Sequence, residues 1–203
     1  MRPSRRFDHI LFSIGVGVRL ASSSVGNRSM TGKEFMAAVA NGKLDILQLF
    51  LDILEATASP YCVIGGLAVN AYVEPVVSLD LDLVIIGHDV EKICGIASQK
   101  GLRIERYEHS VNLISSESDL RIQLQTDPRF QEFIPRASTK KVLGYTMNVA
   151  SLQDVLKGKV WAYLDGARRK SKRQKDLADI ARLVEAFPSL TSQLPPGVRS
   201  QVE

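Results

Sequence analysis

Cysteine, histidine and long apolar runs are all scarce in this sequence, and each scarcity removes a class of protein. Only Cys62 and Cys94 occur among 203 residues, both within apolar stretches and without metal-ligand spacing. A disulfide scaffold and a zinc fold are excluded, and both thiols are expected as reduced core residues of a cytoplasmic protein. His9, His88 and His109 form no cluster and suggest no chemistry. No stretch approaches the eighteen or so apolar residues of a membrane-spanning helix, so no membrane partner is expected. Repeats and low-complexity blocks are absent too. With 203 residues the chain needs no staple, because a domain of this size buries roughly two-thirds of its unfolded surface.

Charge of one sign is also missing from most of the chain. The net +4 lies in residues 1–30, where Arg2, Arg5, Arg6, Arg19 and Arg28 face Asp8 alone. The remainder is balanced, so overall basicity does not make this a nucleic-acid binder. The apolar run 10–20 of that tail is interrupted by Gly15, Gly17 and Arg19, and small residues follow at 21–24. Two readings stay open for it: a disordered or misassigned extension ahead of Met30, or a processed targeting segment. The expected organisation is therefore an extension over 1–30, one domain over 31–190 and a loose end over 191–203.

Within the domain, apolar residues keep helical spacing from 31 to 58, with a break at Asn41-Gly42 and a stop at Pro60. A buried strand is predicted at 61–64, a turn at Gly65-Gly66 and two helical turns over 67–73. A strand region follows at 76–86, and Asp89 is placed to cap a helix ending at Lys100. Strands are predicted at 102–107, 111–114, 119–125 and 142–149, with a Pro-bounded helical piece at 128–133. Ser151 and Asp154 suggest a capped helix to 164, and a last helix covers 172–187.

The chemistry concentrates between Tyr61 and Ile86. Leu79, Leu81 and Leu83 alternate with Asp80 and Asp82, so both aspartates share one strand face, roughly 6.6–7 Å apart along the chain. Carboxylates so placed can converge on a hard divalent cation, and Mg²⁺ completes its shell with water and substrate phosphate. A Gly-Gly turn ahead of a helix allows close backbone approach and leaves amide groups free for phosphate. Each feature alone is ordinary: Gly-Gly marks many loops, and alternating aspartates commonly form a solvated sheet face. Their combination within 22 residues of otherwise apolar sequence is what points to a site.

Three motifs in order then carry a family resemblance over residues 61–184. Ile64-Gly65-Gly66-Leu67-Ala68 is similar to a Gly-Gly or Gly-Ser motif, and Ser78-Leu79-Asp80-Leu81-Asp82 to a Thr-x-Asp-x-Asp metal motif. Lys159-Val160-Trp161-Ala162, followed by Lys175-Asp176-Leu177-Ala178-Asp179, is similar to a helical Lys and Lys-Asp-x-x-Asp pattern. Together they resemble the nucleotidyltransferase superfamily related to DNA polymerase beta, and within it the small bacterial minimal and AbiEii-like members.

The resemblance implies an α/β (α+β) fold with a central mixed sheet, flanking helices and a C-terminal helical pair. It implies transfer of an NMP unit from an NTP, with Mg²⁺ or Mn²⁺, to a hydroxyl of RNA, protein or a small molecule. Asp80 and Asp82 would hold the metal and act in catalysis. Gly65, Gly66, Ser78, Lys175 and Asp176 would contact the nucleotide, and Lys159 would neutralise the triphosphate. A toxin-antitoxin system, with a cognate partner chain, is the setting it suggests. Two positions depart from the family pattern. Val76 stands where an arginine is common, and Gln123 stands where a third carboxylate is expected on a later strand. A neutral amide is a poorer ligand and cannot act as a base. Asp127 lies four residues on, roughly 13 Å away if the strand continues, too far to substitute.

Two features keep alternatives open on residues alone. Lys159 shares a helical stripe with Leu152, Val155, Leu156 and Tyr163, so it is either a snorkelling side chain or a cation for the cleft. The run from Arg168 to Lys175 holds six basic residues in eight, either a solvated helix end or a cradle for a polyanion such as RNA. Beside the enzyme stands a second class: a catalytically degenerate member that binds nucleotide or a partner protein without turnover.

Overall fold

The computed structural model describes residues 30–203, so the expectations for the N-terminal extension lie outside the described residues. Thr31 opens α1 (Gly32–Val39) with a reciprocal capping box to Glu34. The predicted break at Asn41-Gly42 follows, and Asn41 takes a left-handed φ of 48°. Asp45 then caps α2 (Ile46–Thr57), which ends on Ala58 in the left-handed region. Tyr145 donates to both carboxylate oxygens of Asp45 at 3.0 Å and ties α2 to the sheet.

The strands are β1 (Tyr61–Ile64), β2 (Asp80–Ile85), β3 (Arg103–Tyr107), β4 (Ser110–Ile114), β5 (Arg121–Gln125), β6 (Ser138–Val142) and β7 (Tyr145–Val149). They form one sheet in the order β3-β4-β5-β2-β1-β7-β6. β2 with β5 and β1 with β7 are parallel, and the other pairs are antiparallel. The helices are α3 (Gly65–Val69), α4 (Val90–Gln99), α5 (Leu152–Leu164), α6 (Lys170–Ala186) and α7 (Pro196–Arg199). This is the expected mixed sheet with flanking helices and a helical pair near the C-terminus. Alternation on β2 sends Leu81 and Leu83 into the core, fully buried, and keeps Asp80 and Asp82 together on the other face. α3, α5 and α6 pack together over that face. No helix among the described residues is long and apolar enough to cross a membrane.

Several local expectations are corrected. β2 starts at Asp80 rather than 76, because the Asn70 side chain bonds both the N–H and the carbonyl of Val76 and holds that stretch in a loop after Pro75. α3 begins on the glycines themselves and is shorter than two full turns. Asp89 precedes α4 without capping it. The single strand at 142–149 is a hairpin, with Leu143 and Gly144 as its two-residue turn at φ of 50° and 85°. Such turns favour Asn-Gly, so Leu-Gly hid it.

The C-terminal stretch read as loose is packed. A 3₁₀ helix (Pro188–Gln193) and α7 bury Leu190, Leu194 and Val198, and the Arg199 guanidinium donates to the carbonyls of Thr191, Ser192 and Leu194. Its polar composition concealed three apolar residues spaced four apart on short turns. Leu190→Ala is accordingly expected to cost about 2–5 kcal/mol, as for other fully buried leucines. Urea unfolding checks this; an unchanged midpoint would mean that the end packs on nothing.

Candidate active site

β1 ends at Ile64, directly opposite Asp82 on β2. The chain then turns through Gly65 at φ +70°, and a Cβ added there would sit 2.0 Å from Asp82 Oδ2. Both the dihedral and the approach require glycine. A Cβ on Gly66 would lie 2.9 Å from Ser78 Oγ. Ser78 itself is only 4% exposed, so it supports Gly66 from behind and does not line the cavity. The Gly-Gly motif is therefore the backbone wall against which the Asp82 carboxylate rests.

The two aspartates differ in environment. Asp80 is engaged, at 2.9 Å from Arg121 and 3.7 Å from Lys172 Nζ. Asp82 has no hydrogen-bond or ion-pair partner among the described residues and lines a partly open cavity of about 110 Å³. Burial, with the nearby Asp80 carboxylate adding to it, pushes Asp82 above the ordinary carboxylate range, against the pull of Lys159, Arg121 and Arg168. A half-buried carboxylate without a hydrogen-bond partner, beside a second one, offers oxygen donors of the kind a hard divalent ion takes. Gln123 stands next to Asp82 on β5 in register, which is the row anticipated for the third position. Among the described residues no group of three or more His, Cys, Asp or Glu gathers as a ligand cluster. Two carboxylates, one of them paired with Arg121 and Lys172, and an adjacent neutral amide are what these strands offer a cation.

Asp127 is not a third ligand. β5 stops at Gln125, and Asp127 caps the following 3₁₀ helix (Pro128–Arg136), where it accepts from the Arg129 backbone N–H at 2.9 Å and from its guanidinium at 2.7 Å. Hydrogen bonds from Arg129 hold its carboxyl below the usual range.

Lys159 does point towards the domain, but into an ion-pair network. Its Nζ is 3.0 Å from Asp176 and 2.6 Å from Asp179, and only 7% of the residue is exposed. Arg168 pairs with the other oxygen of Asp176 at 2.7 Å, and Arg182 with Asp179 at 2.9 Å. Burial by itself lowers the lysine pKa, yet Asp179 and Asp176 together raise it above its ordinary value. The Lys159, Asp176 and Asp179 positions of the motif therefore meet, largely with one another. Lys175 is exposed on α6 and does not line the cavity.

The basic run divides along the helix. Arg168 and Lys172 turn to Asp176 and Asp80, and Arg173 donates to the Tyr163 carbonyl, leaving Arg169, Lys170 and Lys175 exposed.

Other residues of the site went unnoticed in the sequence. Arg121 shares the Gln123 face by the period of two, and that signal could have found it. Asp154 lines the cavity but is consumed by Arg136, at 2.9 and 2.6 Å, and by the Ser151 hydroxyl at 2.7 Å. Phe130, Phe133 and Trp161 pack with centroids 5.2–5.7 Å apart. They come from two distant segments, and nothing in the sequence joins those. A second, open groove of about 530 Å³ adjoins the cavity, sharing Gln125, Phe130, Gly158, Ala162 and Arg168 with it.

The mixed sheet with its flanking helices is a fold this chain shares with solved nucleotidyltransferase structures. Among solved structures it is similar to ANT(2'')-Ia in complex with adenylyl-2''-tobramycin, with a TM-score of 0.59 and 15% identity over 77% of this chain and 94% of that one. It is also similar to the lincosamide antibiotic adenylyltransferase LnuA bound to lincomycin, with a TM-score of 0.51 and 15% identity over 70% of this chain and 99% of that one. No family model and no curated protein matches the sequence.

Proposed function

We propose that residues 31–190 form a nucleotidyltransferase unit that moves an NMP from an NTP to an acceptor. The observation that carries this is Asp82, lining the cavity without a hydrogen-bond partner, beside Asp80 and against the Gly65 backbone. Asp80 and Asp82 would hold Mg²⁺ or Mn²⁺, which when bound supplies charge neutralisation at the transferring phosphoryl group. Gly65 and Gly66 bring backbone close enough for the phosphates. Arg121 and Lys172, now on Asp80, would turn to a triphosphate when the metal takes Asp80. Lys159 acts through the network, holding Asp176 and hence Arg168 at the cavity wall.

The AbiEii-like assignment is supported by the meeting of Lys159, Asp176 and Asp179; a cognate toxin or antitoxin partner would follow from that assignment alone. The free buried thiols of Cys62 and Cys94 support a reducing, cytoplasmic setting. The exposed Arg169, Lys170 and Lys175 suit an RNA or protein acceptor with negative charge. Gln123 favours a second reading, a member that binds nucleotide or a partner protein without turnover.

Calorimetry with a non-hydrolysable NTP, with and without Mg²⁺, tests the main reading: binding is expected only with metal, and metal-independent or absent binding would sink it. Incorporation of label from an α-labelled NTP into cellular RNA or protein then separates turnover from binding alone.

A further inference from the structure

An alcohol must shed its proton as it attacks phosphorus, so a site built for one offers a free base near the reacting atoms. Here two of the three carboxylates lining the inner cavity are already engaged. Asp176 lies between Lys159 and Arg168, and Asp154 lies between Arg136 and Ser151. Asp82 is the third, and in the reading above it would be taken up, with Asp80, by the cation. Across the sheet, the row that starts at Ile64 and Asp82 continues through Gln123 on β5 to Asn112 on β4. The Gln123 amide has no hydrogen-bond partner among the described residues. Asn112 is 6% exposed, and its Oδ1 has none either. A neutral amide, Gln123, therefore lines the side of Asp82 away from Gly65, with a second, Asn112, behind it on the next strand. His109 lines only the outer groove.

Arg168 stands at the junction, lining both the cavity and the groove. Its Nε is spent on Asp176 at 2.7 Å, while its two terminal nitrogens make no hydrogen bond among the described residues. A guanidinium edge left open matches the two oxygens of a carboxylate or phosphate and gives an alcohol little.

We infer that the acceptor is an oxyanion, a phosphate monoester or a carboxylate, held by Arg168 beside Gln123; this rests on the nucleotidyl-transfer reading above. An acceptor oxygen lone pair forms the new bond to the α-phosphorus. The bond from that phosphorus to the oxygen bridging the β-phosphate breaks, and its electron pair leaves with pyrophosphate. The acceptor has no proton to lose, so no base is required. A phosphate acceptor yields a diphosphate linkage, and a carboxylate yields a mixed acyl-phosphate anhydride.

The test uses the full chain, Mg²⁺ or Mn²⁺, each α-labelled NTP, and inorganic phosphate, acetate or glycerol as probe. NDP that carries label from radiolabelled inorganic phosphate, which hydrolysis of the NTP cannot produce, or acetohydroxamate trapped by hydroxylamine from acetate, is expected and tells the two oxyanion sources apart, while glycerol gives no diester. Calorimetry adds a readout independent of turnover: inorganic phosphate should bind the complex with Mg²⁺ and non-hydrolysable NTP. That binding should weaken about tenfold or more in Gln123→Asp, where a like charge is added, and in Arg168→Lys, which keeps the charge but loses the fork. Transfer to glycerol by the wild type overturns the oxyanion inference and leaves nucleotidyl transfer standing. So does metal-dependent NTP binding in which neither phosphate nor acetate binds or reacts. Absence of metal-dependent NTP binding removes the transferase reading itself.

Discussion

Asp82→Asn is expected to abolish metal-dependent nucleotide binding, to cut transfer by about a thousandfold or more, and to stabilise the metal-free protein at neutral pH. The transfer loss corresponds to about 4 kcal/mol of transition-state stabilisation, within what a metal ion and its ligands supply. The gain in stability follows from the pKa. Asp82 is pushed above the ordinary carboxylate range by burial first and by Asp80 second. A carboxyl raised on folding is protonated more readily in the native state. Its stabilising contribution is full below the unfolded value and is lost as pH rises through the raised folded value. Above that window the ionised carboxylate costs stability, and Asn removes the cost. Thermal melts without metal from about pH 4 to about pH 8 should show the variant ahead at the neutral end and level with the wild type at the acid end. Added Mg²⁺ with nucleotide should raise the wild-type melting temperature and leave the variant where it was. If the variant binds metal and nucleotide as the wild type does, the Asp-x-Asp strand is only a sheet face.

Lys159→Met should unfold the protein at markedly lower urea, with a loss of about 3 kcal/mol. Removing one member of a buried ion network costs about 3–5 kcal/mol because its partners stay buried and charged. The lower end applies here: Arg168 still pairs with Asp176, and Arg182 with Asp179. Methionine fills a similar volume, so the lost charge dominates the effect. The companion measurement is nucleotide affinity under conditions where the variant remains folded. Since Lys159 is spent on two carboxylates, affinity should fall less than in Lys172→Gln. A variant of full stability that no longer binds nucleotide would return Lys159 to the triphosphate and remove it from the network.

These two side chains mark where reading along the chain succeeds and where it stops. The period of two on β2 is local information, and it determined that Asp80 and Asp82 share a face and that the leucines between them are core. Gly65-Gly66 was equally legible as a turn, and the register of β5 puts Gln123 beside Asp82, where the family resemblance placed the third position. The helical stripe sent Lys159 inward, correctly. What it meets depends on α6, whose packing against α5 joins residues seventeen and twenty apart, and helical periodicity says nothing about a second helix. The missed hairpin turned on Leu143 adopting a left-handed dihedral that its side chain disfavours, a strain only the surrounding packing can impose. Likewise the C-terminal turns are ordered because Leu190, Leu194 and Val198 find a core to enter. Pattern and spacing determined the elements, the carboxylate pair and its glycine wall. Which charges are free and which are spent was decided only in the tertiary structure, because pairing depends on distances between segments that the sequence does not hold.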